Sequence, residues 1–152
     1  MSTYTNLYIQ LVFAVKGRQS LISPMWEDDL YKYITGIVEK KGNKMIVING
    51  VPDHIHFFIG LNPACAISDL VREVKKSSNE FIKQNNLANN FSWQSGFGAF
   101  SYSKSDIDRV VKYILNQKEH HKKQKFKDEF LLFLKKYDIE YDEKYLFEWI
   151  DG

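Results

Sequence analysis

The chain has 152 residues, 44% hydrophobic and 26% charged, with 8 Gly and 3 Pro; this size and composition exclude disordered, collagen-like and linker-rich classes and lead us to expect one domain over residues 1–152. The net charge of +2 does not by itself argue for nucleic acid, and the single cysteine, Cys65, excludes an intrachain disulfide framework and a multi-thiolate zinc site. The longest apolar stretch, 7–15, is interrupted by Gln10 and falls short of the roughly 20 residues needed to cross a bilayer, so no membrane association and a cytoplasmic location are expected.

Residues 4–15 combine β-branched and aromatic side chains with partial alternation, the pattern of a strand buried largely on both faces. Ser23 and Pro24, followed by Glu27, Asp28 and Asp29, signal a helix that runs to about residue 41, where Gly42 can close it. Residues 45–48 are a short apolar run. After a turn at Gly50, Val51, Pro52 and Asp53, residues 54–61 are again β-rich, so the two runs are expected to pair as a hairpin. Between 66 and 84, Ile67, Leu70, Val71, Val74, Phe81 and Ile82 recur at helical spacing and leave Arg72, Lys75, Lys76 and Lys83 to a basic side. Residues 91–102 read as a last strand interrupted by Gly96 and Gly98. Ser105 to Asp108 spells a capping box for a helix reaching about residue 122, with Ile107, Val110, Val111 and Ile114 as its buried stripe, and a final helix spans about 127–137. This order defines an α+β fold: a ferredoxin-like or RRM-like antiparallel sheet with helices on one face, plus C-terminal helices.

Two constellations could carry chemistry. His54 and His56 flank Ile55 on a predicted strand, so the imidazoles share one face while Ile55 points into the core. Such a pair can grip a metal ion or can stand as two unliganded surface histidines; the tripeptide leaves both readings open. On the capped helix, Tyr113 and Gln117 lie four apart, and His120 extends their face by one turn along the rim of the buried stripe. An isolated tyrosine there is ordinarily a half-buried ring with its hydroxyl in water.

The segments VPDHIHFFI, WQSGFGAFSYSKSDIDRVVKYILNQKEHH and FKDEFLLFLKKYDIEYDEKYLF together resemble the single-strand DNA transposases of small bacterial insertion sequences. These are HUH endonucleases with one catalytic tyrosine, and they include the REP-associated tyrosine transposases. The resemblance implies that His54, His56 and Gln117 bind a divalent metal, Mg2+ or Mn2+, and that Tyr113 is the nucleophile. Phe97 and Tyr102 stand where the family pattern suggests a Tyr and a small apolar residue, positions that carry none of its chemistry. The resemblance also implies single-stranded DNA bearing a hairpin as partner, a homodimer, and no nucleotide cofactor. In a dimer, Tyr113 and Gln117 are expected to complete the histidine pair of the other chain.

The basic residues Arg72, Lys75, Lys76 and Lys83, and Lys118, Lys122, Lys123, Lys125 and Lys127 around His120 and His121, offer a landing surface for phosphate. The implied activity is cleavage and rejoining of DNA at hairpin-marked element ends through a 5′-phosphotyrosine. The alternatives are a non-catalytic nucleic-acid-binding module that uses the same sheet, and a host-adopted relative acting on repeated palindromes.

Overall fold

In the computed structural model, residues 3–122 and 124–141 are described; Lys123 of the basic run and the end of the last quoted segment lie outside them. The elements are β1 (Tyr8–Ala14), α1 (Glu27–Lys40), β2 (Lys44–Val51), β3 (His54–Gly60), α2 (Ile67–Gln84), β4 (Gly98–Tyr102), α3 (Ile107–Leu115), α4 (Gln117–His120) and α5 (Phe126–Lys136). The strands pair in the order β2-β3-β1-β4, every neighbour antiparallel, which is the expected ferredoxin-like sheet.

Strand alternation divides the labour of the two sheet faces. Leu11 and Phe13 on β1 and Ile55, Phe57 and Ile59 on β3 share one face and are fully buried. Against them pack Leu30, Ile34 and Val38 of α1 and Leu70, Val71, Val74 and Ile82 of α2. Phe13 sets its ring edge-on to both Phe57 and Trp93, at centroid distances of 5.9 and 4.9 Å, the geometry that aromatic quadrupoles favour. Trp93 in turn donates its Nε1–H to Ser78 on α2 at 2.9 Å.

The opposite face carries Gln10, Val12 and Ala14 of β1 beside Phe58, His56 and His54 of β3, with Gly98 and Phe100 of β4 at its edge. The C-terminal helices cover it: Val110 and Ile114 of α3 pack on Phe58, and Phe100 stacks on Phe133 of α5 at 4.8 Å. Helices therefore lie on both faces, α1 and α2 on one and the C-terminal group on the other. Small residues here make room for large ones, since a Cβ added at Gly98 would fall 2.9 Å from the rings of both Phe100 and Phe130.

Several local expectations change: the strand expected over 91–102 is confined to Gly98–Tyr102, with only an isolated bridge from Trp93 to Val15 before it. The capping box at Ser105 does not form: Ser103 begins a 3-10 turn over Lys104–Asp106, its hydroxyl bonding Ser105 and Asp106, and Asp106 pairs with Arg109 at 3.1 Å. The helix expected to reach residue 122 breaks at Asn116, because the Asn49 side chain of β2 donates to the carbonyls of Ile114 (2.9 Å) and Leu115 (3.2 Å). Those carbonyls would otherwise accept from the amides four residues on. The basic side of α2 also proves structural in part. Lys75 donates to the carbonyls of Gln94 (2.8 Å) and Gly96 (2.6 Å), on the face away from the histidines, and burial pulls its pKa down to about 8.

The β2–β3 turn that presents the histidines is tightly built. A Cβ at Gly50 would fall 2.4 Å from the His54 carbonyl oxygen and 3.0 Å from Ile55 Cα, backbone atoms that cannot rotate aside. Gly50→Ala is expected to cost about 1–3 kcal/mol by urea denaturation. Gly60→Ala, whose Cβ would meet only Lys44 Cβ at 3.6 Å, is expected to change stability by less than about 1 kcal/mol.

Candidate functional site

His54 and His56 lie side by side on β3 with 0% exposure. They are not surface histidines. Phe126 of α5 stacks on His54 at 4.1 Å, and α5 seals the sheet face over both rings. The histidine pair is thus part of the interior.

The two Nδ1 atoms are each tied to a neighbour. Asp53 accepts a hydrogen bond from His54 Nδ1 at 2.7 Å, which turns the Nε2 side of that ring inward. Gln10 Nε2 donates to His56 Nδ1 at 2.9 Å, and the Tyr102 hydroxyl donates to Gln10 Oε1 at 2.9 Å. Tyr102, a departure from the family pattern, therefore touches the residue that orients His56.

At the centre stands Glu129 of α5, 2% exposed, which sequence reasoning did not single out. Its Oε1 accepts from His56 Nε2 and from His121 Nε2, both at 3.1 Å, and lies 3.5 Å from His54 Nε2. Its Oε2 accepts the Tyr113 hydroxyl in a very short contact and Gln117 Nε2 at 3.2 Å, with His120 Nε2 3.5 Å away. One carboxylate thus joins every residue predicted for the site, together with His120 and His121. The sequence carried a signal for it: Phe126, Glu129, Phe130 and Phe133 follow helical spacing, so Glu129 is an acid inside an apolar stripe.

All four predicted site residues meet within one chain. Within this one chain α5 folds back over its own β3 and the Tyr113 hydroxyl meets Glu129 there, whereas the expectation that Tyr113 and Gln117 reach the histidines of a second chain is a question of the dimer. The Tyr113 ring stands edge-on to His56 at 5.9 Å. Beside it a cavity of about 240 Å³ is lined by Tyr102, Arg109, Tyr113, Glu129, Phe133 and Lys136 among others.

The electrostatics follow from burial and proximity. Burial favours a protonated Glu129, but His56, His121 and His54 outweigh it and hold the carboxyl far below the usual range. Burial lowers the pKa of His54, yet Asp53 and Glu129 together raise it above the ordinary histidine value; at His56 burial prevails and the pKa is lowered. The Tyr113 hydroxyl is pushed well above its usual range, first by burial and then by the charge of Glu129.

Some of this polar cluster is left unsatisfied. His54 Nε2, Gln117 Oε1 and His120 Nε2 are buried and make no hydrogen bond among the described residues. Side-chain ligand atoms of His54, His56, His121 and Glu129 lie within 4.8 Å of one another, so this cluster could hold a metal ion. Imidazole nitrogens and a carboxylate are apt donors for a divalent cation, and the bare Nε2 of His54 is the atom such an ion would need.

The four-stranded antiparallel sheet with its flanking helices is a fold shared with solved transposases. A Deinococcus radiodurans R1 protein assigned as a transposase superposes with a TM-score of 0.62 at 20% identity, over 77% of this chain and 95% of that one. The REP-associated tyrosine transposase, solved bound to a REP hairpin, gives 0.61 at 20% identity over 80% of this chain and 74% of that one. In sequence, 119 residues are 24% identical to the ISDra2 transposase TnpA of Deinococcus radiodurans, covering 74% of this chain and 84% of the relative. Residues 3–117 match the family described as IS200-like transposase, and the chain belongs to that family. The match ends at Gln117, so His120, His121 and Glu129 lie beyond it.

The charge balance of the site has a pH signature in the metal-free protein. Folded Glu129 refuses a proton that the unfolded chain accepts near pH 4.3. Its stabilisation is full above that value and is lost as pH falls toward the folded pKa. The urea midpoint is expected to drop between pH 6 and pH 3. Glu129→Gln should lower stability by about 3 kcal/mol at pH 6 and flatten the acid loss; an unchanged acid limb in that variant would refute the assignment.

Proposed function

We propose that this transposase acts on single-stranded DNA, cleaving and rejoining it at hairpin-marked ends through a 5′-phosphotyrosine formed on Tyr113. The observation that carries the reading is the meeting of the Tyr113 hydroxyl and the histidine pair at one buried point. Membership of the IS200-like transposase family supplies DNA cleavage as the class of reaction. The hairpin bound by the REP-associated tyrosine transposase supports a folded single strand as the partner.

In this reading the Tyr113 oxygen attacks the scissile phosphorus, the bond to the 3′ oxygen breaks, and the 5′ phosphate remains on the tyrosine. The departing 3′ oxygen leaves as a hydroxyl. A 3′ hydroxyl from a second strand then attacks the phosphotyrosine, restoring a phosphodiester and freeing Tyr113, so no nucleotide cofactor is consumed. His54, His56 and Gln117 would hold Mg2+ or Mn2+. When bound, the ion supplies polarisation of the phosphate and neutralisation of charge on the leaving oxygen. The chain's own residues do the rest. Asp53 and Gln10 orient the imidazoles, the Glu129 carboxylate holds the hydroxyl of Tyr113 in place, and the cavity beside that ring gives a strand access, with Arg109 and Lys136 at its border.

A non-catalytic binder would have no use for a tyrosine hydroxyl held against buried imidazoles, whereas a host-adopted transposase acting on repeated palindromes would use the same chemistry. We place the reaction in the cytoplasm, in a homodimer whose two sites each assemble from one chain, so that two DNA ends are held together.

With metal and a labelled hairpin-bearing strand from the flanks of its own gene, Tyr113→Phe is expected to lose cleavage and the covalent adduct while keeping hairpin affinity within about threefold. Undiminished cleavage would overturn the reading. A mixture of Tyr113→Phe and His56→Ala chains, after subunit exchange, is expected to stay inactive, because neither chain contains a whole site. Restored cleavage would show that Tyr113 works across the dimer.

A further inference from the structure

The two oxygens of Glu129 face different partners. Oε1 is turned to the imidazoles of His54, His56 and His121, whereas Oε2 is turned to the Tyr113 hydroxyl and the Gln117 amide. A general base for Tyr113 would need only the second contact. A metal ligand that also positions the nucleophile needs both.

We propose that Glu129 and His121 join His54, His56 and Gln117 as ligands of the metal, giving the centre three imidazoles and one carboxylate, with the second oxygen of Glu129 positioning Tyr113, and that this centre selects a first-row transition ion over Mg2+. The proposal rests on the metal-dependent reading above and extends it to residues outside the family match, which ends at Gln117. It stands first on geometry, since one ligand atom from each of His54, His56, His121 and Glu129 falls within a 4.8 Å cluster. It stands next on the groups left over: His54 Nε2 is buried and without a hydrogen bond, and Asp53 already fixes the other nitrogen of that ring.

Burial supplies the third argument. A carboxylate 2% exposed among imidazoles is tolerated only with compensating positive charge. A divalent ion held by the same imidazoles provides it. The fourth is rigidity, since α5 is locked to the sheet by Phe126 on His54 and by Phe133 on Phe100 and Tyr113, so the carboxylate is held where the ligands converge. The donor set then decides the metal. Mg2+ prefers oxygen ligands and retains several waters, whereas imidazole-rich sites favour first-row transition ions.

The test is calorimetric titration of the chelator-treated full chain with Mn2+ and, separately, with Mg2+, alongside the electron paramagnetic resonance spectrum of bound Mn2+. Mn2+ is expected to bind at least about 100-fold more tightly than Mg2+. Glu129→Gln and His121→Ala are each expected to weaken Mn2+ by about tenfold or more and to alter its spectrum. Thermal melts identify any variant that fails to fold; in that event Glu129→Asp, which keeps the charge and shortens the reach, is read instead, with an intermediate loss expected. Mn2+ affinity within twofold of the parent in these variants, tighter binding by Glu129→Gln as if a plug had been removed, or equal affinity for Mg2+ would each overturn the proposal. His56→Ala separates the two levels of the argument. If it alone abolishes binding, the histidine pair is the metal site and Glu129 is not a ligand; if it binds normally, the histidine-based reading itself fails.

Discussion

A single buried carboxylate organises the C-terminal helices of this molecule and the sheet face beneath them. Glu129 is 73 positions from His56 and 16 from Tyr113, yet it touches both. A carboxylate cannot be taken from water at that depth without partners, and the partners it finds come from β3, α3, α4 and the turn that follows α4. Satisfying one acid therefore dictates where α5 lies, which rings it covers and where the tyrosine points. The ring contacts of Phe126 and Phe133 and the polar cluster beneath α5 together hold it in that placement.

That arrangement depends on the sheet having two unlike faces. One is an apolar floor for α1 and α2 and supplies most of the core. The other alternates Gln10, His54 and His56 with Val12, Ala14 and Gly98, small enough for the aromatic side of α5 to settle over them. Because side chains in a strand change face at each residue, the same β1 and β3 serve both purposes, and a one-residue slip would move both histidines into the α1–α2 core. The tight fit at Gly50 and the antiparallel register from Ala14↔His54 to Tyr8↔Gly60 guard against that slip.

Local pattern made much of this legible. Alternation and turn residues located the hairpin that carries His54 and His56, and four-residue spacing placed Tyr113 and Gln117 on one helical rim. What stayed hidden was long-range. Nothing around His54 says that α5 will bury it, and an acid in a lysine-rich terminal helix reads first as solvated. The break at Asn116 was equally invisible, since its cause is Asn49, 67 positions earlier. The misplaced capping box has a local cause: with Ser103, Ser105 and Asp106 adjacent, several side-chain bonds compete, and the 3-10 turn satisfies them earlier than the box would.

Gln10 shows how a residue with no chemistry of its own can matter to the site. Its amide donates to His56 Nδ1, which places the remaining ring proton on Nε2, where Glu129 accepts it. A metal ligand needs that nitrogen bare. An amide has an acceptor end as well as a donor end, and a half-turn would let Oε1 take the proton from Nδ1 while Nε2 donates to Tyr102, whose hydroxyl can accept as readily as it donates. Gln10 keeps a partner at each end in both orientations, so no polar atom is stranded on β1, although His56 gives up the bond from its Nε2–H to Glu129 when the tautomer changes. A leucine at either position 10 or 102 would remove that freedom. The chemistry of the histidine pair thus reaches, through one amide, to the tyrosine at the far edge of the sheet.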